Sequence, residues 1–166
     1  FNFPWHSSVR VAHYQEEILS HVSALDHAAA SSAVNGWLAL SPFDWRGYFQ
    51  RAELILSNIG DQEAATADFT RARFVEPISG DVSYEEGTVW LPINATRAIS
   101  AWRETFLREM EDMDSTFDRM LEQAVSLEMR EKMARLSEIN PHIRARFLSC
   151  LKGEALISEI SYELLE

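Results

Sequence analysis

Cysteine is nearly missing from this sequence. Cys150 stands alone among 166 residues, so no disulfide can close within the chain, and a small fold held by covalent staples is excluded. Glycine and proline are sparse, at six and five, too few for a collagen-like or linker-rich chain. Positive charge is short as well: 15 Lys and Arg stand against 26 Asp and Glu, a balance of −11. A surface of that sign repels phosphate backbones and anionic lipid, which argues against direct binding of nucleic acid or of a bilayer surface. No run approaches the roughly 18 apolar residues of a membrane span. The first residues, Phe1 to His6, include no initiator Met and none of the basic and apolar regions of a signal peptide, and this beginning predicts a segment of a larger protein.

What is present is enough apolar material for a core. Hydrophobic residues make up 46% of the chain and aromatics 11%. A chain this long buries roughly two-thirds of the surface its unfolded form exposes, so a single folded domain over 1–166 is expected.

Hydrophobic period predicts helices nearly throughout. After Asp44, the residues Trp45, Phe49, Ala52, Leu56 and Ile59 recur on one helical face, and the pattern stops at Gly60. Asp61 is placed to cap the next helix, in which Ala65, Phe69 and Ala72 form a stripe ending before Pro77. Ala95, Ala98, Ile99, Trp102 and Phe106 mark another helix; Phe117, Met120, Leu121 and Ala124 the next; Met129, Met133 and Leu136 a third. Asn140-Pro141 is a start signal, an N-cap followed by proline at the first helical position, and Ile143, Phe147, Cys150 and Leu151 give that helix its expected buried face. Ile157, Ile160 and Leu164 predict one more helix. Only Ile78 to Leu91, holding Gly80 and Gly87, has a strand-like flavour, and it reads as a loop plus a short helix. The expected fold class is all-α.

Pro42 and Pro77 stand 35 positions apart, and Pro77 and Pro141 stand 64 apart, twice 32. The best unit, 46–77, resembles a tetratricopeptide (TPR) repeat at Phe49, at the Gly60-Asp61 turn, at Ala65, Phe69 and Ala72, and at the closing Pro77. Small residues at 65 and 72 would let two helices approach while Phe49 and Phe69 fill the space beside the contact. There are departures. Glu53 stands where a small residue is usual, with Ala52 one place early. In the unit 11–42, Ala30 and Val34 fit but Trp37 replaces a small residue. Units 78–109 and 110–141 are more degenerate, and C-terminal helices follow over 141–165. The resemblance implies TPR-like hairpins stacked as a short right-handed superhelix.

A second resemblance rests on longer stretches: 41–52 (Ser-Pro-Phe-Asp-Trp-Arg-Gly-Tyr-Phe-Gln-Arg-Ala), 69–77 (Phe-Thr-Arg-Ala-Arg-Phe-Val-Glu-Pro), 86–91 (Glu-Gly-Thr-Val-Trp-Leu) and 101–108 (Ala-Trp-Arg-Glu-Thr-Phe-Leu-Arg). These are similar to the soluble C-terminal helical region of some bacterial O-antigen ligase or polymerase family membrane proteins. That resemblance implies a periplasmic module attached to the inner membrane, working in cell-surface polysaccharide biosynthesis within a polysaccharide-assembly complex. The family's catalytic residues lie in and between its membrane spans, so none carries over to this segment.

The residues themselves support no chemistry. His6, His13, His21, His27 and His142 form no H-E-x-x-H pair and read as solvated surface. The acidic run from Glu109 to Asp118 fails as an EF-hand, because counting from Asp112 puts Phe117 where glycine is needed and Gln123 where glutamate is needed. It reads instead as an acidic linker and helix N-terminus. No G-x-S-x-G elbow occurs. Cys150 reads as a small buried hydrophobe. Glu16-Glu17 and Glu85-Glu86 are adjacent, so their carboxyls diverge and cannot flank a glycosidic bond. Asn94-Ala95-Thr96 matches the glycosylation pattern at a length common by chance. No catalytic residue, metal or cofactor is therefore expected. The expected partner is a protein or peptide, held on the concave face of stacked first helices. By the TPR resemblance Gln50, Leu54, Ser57 and Asn58 would face that groove, with Gln50 and Asn58 bonding an extended backbone and Leu54 offering an apolar contact. The alternative is a free-standing cytosolic TPR adaptor with the same groove. Trp45, Trp90 and Trp102 belong to apolar stripes, which leaves Trp5 as the tryptophan to consider for an exposed role.

Overall fold

The computed structural model describes residues 4–108 and 112–151, and their side chains from residue 11 onward except that of Leu127. Among the described residues the chain is a succession of nine α-helices with no β-strand, as the apolar periodicity predicts. It divides into two compact units, Phe1–Ile78 and Ser79–Glu166. The stretch with Ile157, Ile160 and Leu164, and the side chain of Trp5, lie outside the described residues.

Capping chemistry fixes where the helices begin. Asp26, Asp44, Asp61, Asn94, Asp112, Ser126 and Asn140 each accept a hydrogen bond from a backbone N–H in the first turn that follows. Each such cap stabilises its helix by about 1 kcal/mol, because the first N–H groups of a helix have no partner inside it.

The first unit holds α1 (Pro4–Ser23), α2 (His27–Leu40), α3 (Trp45–Asn58) and α4 (Gln62–Val75). α1 packs on α2, α2 on α3 and α3 on α4. The α3–α4 hairpin turns at Gly60, whose φ of +71° lies in the left-handed region that favours glycine. Ala52, Ala65, Phe69 and Ala72 are sealed from solvent, and the Phe49 and Phe69 rings meet edge to face at 5.1 Å. The sequence departures resolve locally. Ala52 is fully buried, while Glu53, one place later, is half-buried and accepts a hydrogen bond from Gln50 Nε2 at 3.2 Å. Trp37 is accommodated as a core residue, and its indole N–H donates to Asp44 Oδ2 at 3.2 Å.

The second unit holds α5 (Asp81–Trp90), α6 (Ala95–Thr105), α7 (Met113–Gln123), α8 (Leu127–Ser137) and α9 (Pro141–Cys150). The helix expected within Ile78 to Leu91 is α5, a full ten residues, along which Val82, Tyr84 and Trp90 all find buried places. Trp102 on α6 packs closely against Gly87 of α5, where a Cβ would collide with the indole, and its N–H donates to the Tyr84 carbonyl at 3.2 Å. Trp102, Phe106, Phe117, Met120, Met133 and Phe147 share one core. Arg146 ties α9 to α7 through both oxygens of Asp118.

One expected core residue is not in the core. Cys150 is exposed. The helix ends on it, Leu151 already has extended backbone, and it is Leu151 that packs against the core. Ile143 and Phe147 are buried as expected.

Candidate functional site

Gln50, Leu54, Ser57 and Asn58 occupy successive turns on one side of α3, at spacings of four, three and one. The structure separates their roles. Leu54 is only 4% exposed and joins Ile18, Val34, Trp37 and Leu38 in the core of the first unit. Its apolar contact is therefore made internally, and Leu54 is not available for the contact to a bound peptide expected of it. Packing between α2 and α3 claims that face at its middle, whereas Ser57 is exposed and Gln50 and Asn58 are half-buried. Ser57 Oγ donates to the Leu54 carbonyl at 3.2 Å. What remains is a polar edge with an apolar residue sealed beneath it.

A charged network missed by the sequence reading crosses the same hairpin. Asp68 on α4 is 2% exposed. Its carboxylate accepts Arg51 Nε at 2.7 Å and a second Arg51 nitrogen at 2.8 Å, and Arg71 at 2.7 Å. The third Arg51 nitrogen donates to Asn35 Oδ1 on α2 at 3.0 Å, and the guanidinium lies 5.6 Å from the centre of the Tyr48 ring. Burial pushes the Asp68 carboxyl up, but hydrogen bonds and charge from the two arginines outweigh it and leave it below the ordinary aspartate range. All three Arg51 nitrogens donate to partners in the chain, so the cluster joins α2, α3 and α4. The available clue was position: Asp68 falls inside the stripe of Ala65 and Ala72, where a carboxylate needs a partner to be buried.

Among the described residues, hollows open to solvent include one in each unit. One, of about 640 Å³, surrounds the α2–α3 turn beside Phe43 and Trp45. Phe43 is 85% exposed. The other, of about 500 Å³, lies in the second unit between α6 and α8, and its walls include Ile99, Arg103, Lys132, Arg135, Leu136 and Ile139.

The remaining sequence candidates are dispersed. His13 is exposed and sits 3.4 Å from Glu17; among the described residues no three His, Cys, Asp or Glu side chains are grouped to hold a metal. Asp112 caps α7 by accepting the Ser115 N–H at 3.0 Å; Glu109 to Glu111 lie outside the described residues. Glu85 is exposed while Glu86 is buried and accepts the Trp90 indole N–H at 3.4 Å, the divergence expected of adjacent helical carboxyls. Asn94 caps α6 through Arg97 N at 3.1 Å. Trp90 and Trp102 are core residues, and Trp45 is half-buried against Phe49 at 5.9 Å.

No protein-family model matches the chain, and no curated protein matches it. A solved structure described as the crystal structure of MamA protein, a TPR-repeat protein, is similar to it at a TM-score of 0.52 and 14% identity, over 92% of this chain and 87% of the other. At that identity the likeness carries the fold alone: this chain has an all-α helical-repeat fold built from TPR-like hairpins.

Proposed function

We propose that this chain is a protein-interaction or assembly module that makes no bonds itself, and that it serves as the periplasmic part of an O-antigen ligase or polymerase-like membrane protein in cell-surface polysaccharide biosynthesis. The observation that carries the first half is the TPR-like hairpin fold, whose repeated helices offer extended faces to a partner while packing seals their cores. The polar edge of α3 at Gln50, Ser57 and Asn58 is the proposed contact in the first unit, able to hydrogen-bond an extended peptide backbone. The second half is supported by the sequence resemblance over roughly 40–108. No described helix is long and apolar enough to cross a membrane, so in this reading the anchor belongs to the rest of the parent protein.

The test is fractionation of cells expressing the full parent protein, with the segment detected by antibody before and after protease treatment of spheroplasts. Recovery with the inner membrane and cleavage from outside is the expected result. Recovery in the soluble cytosol would overturn the periplasmic assignment and leave a cytosolic adaptor.

A further inference from the structure

The cleft between α6 and α8 concentrates positive charge in a chain that has little of it. Thr96, Ile99 and Arg103 recur at spacings of three and four along α6, and Lys132, Arg135 and Leu136 face them from α8. Three of the chain's 15 basic side chains therefore line one hollow of about 500 Å³, against a single carboxylate, Glu138. Lys132 is 3.3 Å from Glu128. Arg103 and Arg135 are exposed, and neither is held in an ion pair among the described residues. Between these cations the cleft is apolar: Ile99 and Ile139 are half-buried, and Leu136 forms part of the core beneath.

We propose that this cleft binds a short acidic peptide segment of a partner protein, with carboxylates on Arg103 and Arg135 and an aliphatic side chain against Ile99 and Ile139. Charge decides for a short peptide over a long polyanion. The whole chain carries −11, and a nucleic acid or anionic polysaccharide would meet that field over a Debye length of about 8 Å on every side of the cleft. A segment with two or three carboxylates is short enough to meet the three cations of the cleft against its one lining carboxylate, Glu138. The apolar floor decides for a peptide over a free phosphate, which has nothing to place there. This site rests on the reading of the chain as a protein-interaction module, but not on the compartment and not on the α3 edge, so failure of the fractionation result leaves it standing.

The rival role for these arginines is helical. Each stands in the last turn of its helix, where a cation complements the macrodipole, and that role predicts a loss of stability with no ligand. The experiment separates the two. The probe is a fluorescein-labelled heptapeptide in which three glutamates alternate with leucine and isoleucine between terminal glycines, titrated by anisotropy against the full chain at low salt. Binding is expected to weaken about five- to tenfold in Arg103→Gln/Arg135→Gln, since two exposed and partly screened charge contacts are lost, and to weaken as salt rises. Arg130→Gln, which removes one such charge from α8 outside the cleft lining, should leave binding within about twofold. Thermal melts of all variants report any loss of fold. No binding of the glutamate peptide, equal binding of its lysine counterpart, or unchanged binding in the double variant would overturn the proposal. So would inorganic phosphate or a glucuronate oligosaccharide binding through the same arginines at least as tightly as the peptide.

Discussion

Arg51 on α3 and Asp68 on α4 meet in a two-pronged pair, with nitrogen–oxygen distances of 2.7 and 2.8 Å. The Asp68 side chain is 3% exposed and that of Arg51 27%, so removing the carboxylate leaves a guanidinium poorly solvated and unpaired. Asp68→Ala is expected to destabilise the protein by about 3 kcal/mol. Asp68→Asn should cost less, because the amide keeps the volume and still accepts one hydrogen bond. Urea unfolding followed by circular dichroism measures both. A loss under about 1 kcal/mol for the alanine variant would reduce the pair to the standing of a surface ion pair.

The same pair sets a pH dependence. The Asp68 carboxyl is pushed up by burial and pulled further down by Arg51 and Arg71, so its folded value lies below its unfolded one. Its stabilisation is then fully present above the unfolded value of about 4 and is lost as pH falls through the lower folded value. The stability difference between the native chain and Asp68→Asn should be constant near neutrality and shrink below about pH 4. A difference that stays level down to pH 3 would contradict the assignment.

Much of this fold was legible because its helices announce themselves. Asp44, Asp61 and Asn140 sit directly before apolar stripes, and Gly60 sits directly after one, so local chemistry alone marks those ends. The Arg51–Asp68 pair was not legible in that way. Its partners are 17 residues apart and meet only once the hairpin closes, and the sole trace is a carboxylate set in an apolar stripe. Leu54 misled for a related reason: its neighbours along α3 are polar, but its burial is decided by α2. Cys150 has the right period for the core, and the helix ends before that period can matter. The α6–α8 cleft joins residues about 30 positions apart, and no motif in the sequence links them.

Gly87 should be irreplaceable although it lies within a helix. At an open helical site, Gly→Ala gains up to about 1 kcal/mol from propensity. Here the added Cβ would run into the Trp102 indole, so Gly87→Ala is expected to cost about 1–3 kcal/mol through overpacking. The clash is specific to one partner. In a Trp102→Leu background the same substitution should cost much less, and a double-mutant cycle reads that coupling directly. Additive effects would place the strain elsewhere.

The α3 edge predicts a division between neighbouring residues. Leu54→Ala removes buried volume from the first unit and should cost about 2–4 kcal/mol. Gln50→Ala and Asn58→Ala, at half-buried positions, should each stay within about 0.5 kcal/mol. Thermal melts of the three variants test this. A binding edge needs polar residues that the fold does not depend on, and a loss above about 1 kcal/mol at Asn58 would assign that side chain to structure instead.

Cys150 supplies a test of how α9 ends. The thiol is exposed at the last helical position, while Leu151 turns into the core behind it. Maleimide should therefore label the folded protein at a rate within about threefold of that in denaturant, since access controls how fast a thiol reacts. A buried cysteine would react only as fast as the protein opens. If labelling waits for unfolding, the side chain is covered, and the helix must run on past residue 150 with Cys150 on its inner face. Leu151→Ser discriminates further. It should lower the melting temperature, because it removes an apolar contact from the core, whereas Cys150→Ser should leave it unchanged. Equal losses at both positions would return Cys150 to the apolar face that its spacing from Ile143 and Phe147 suggests.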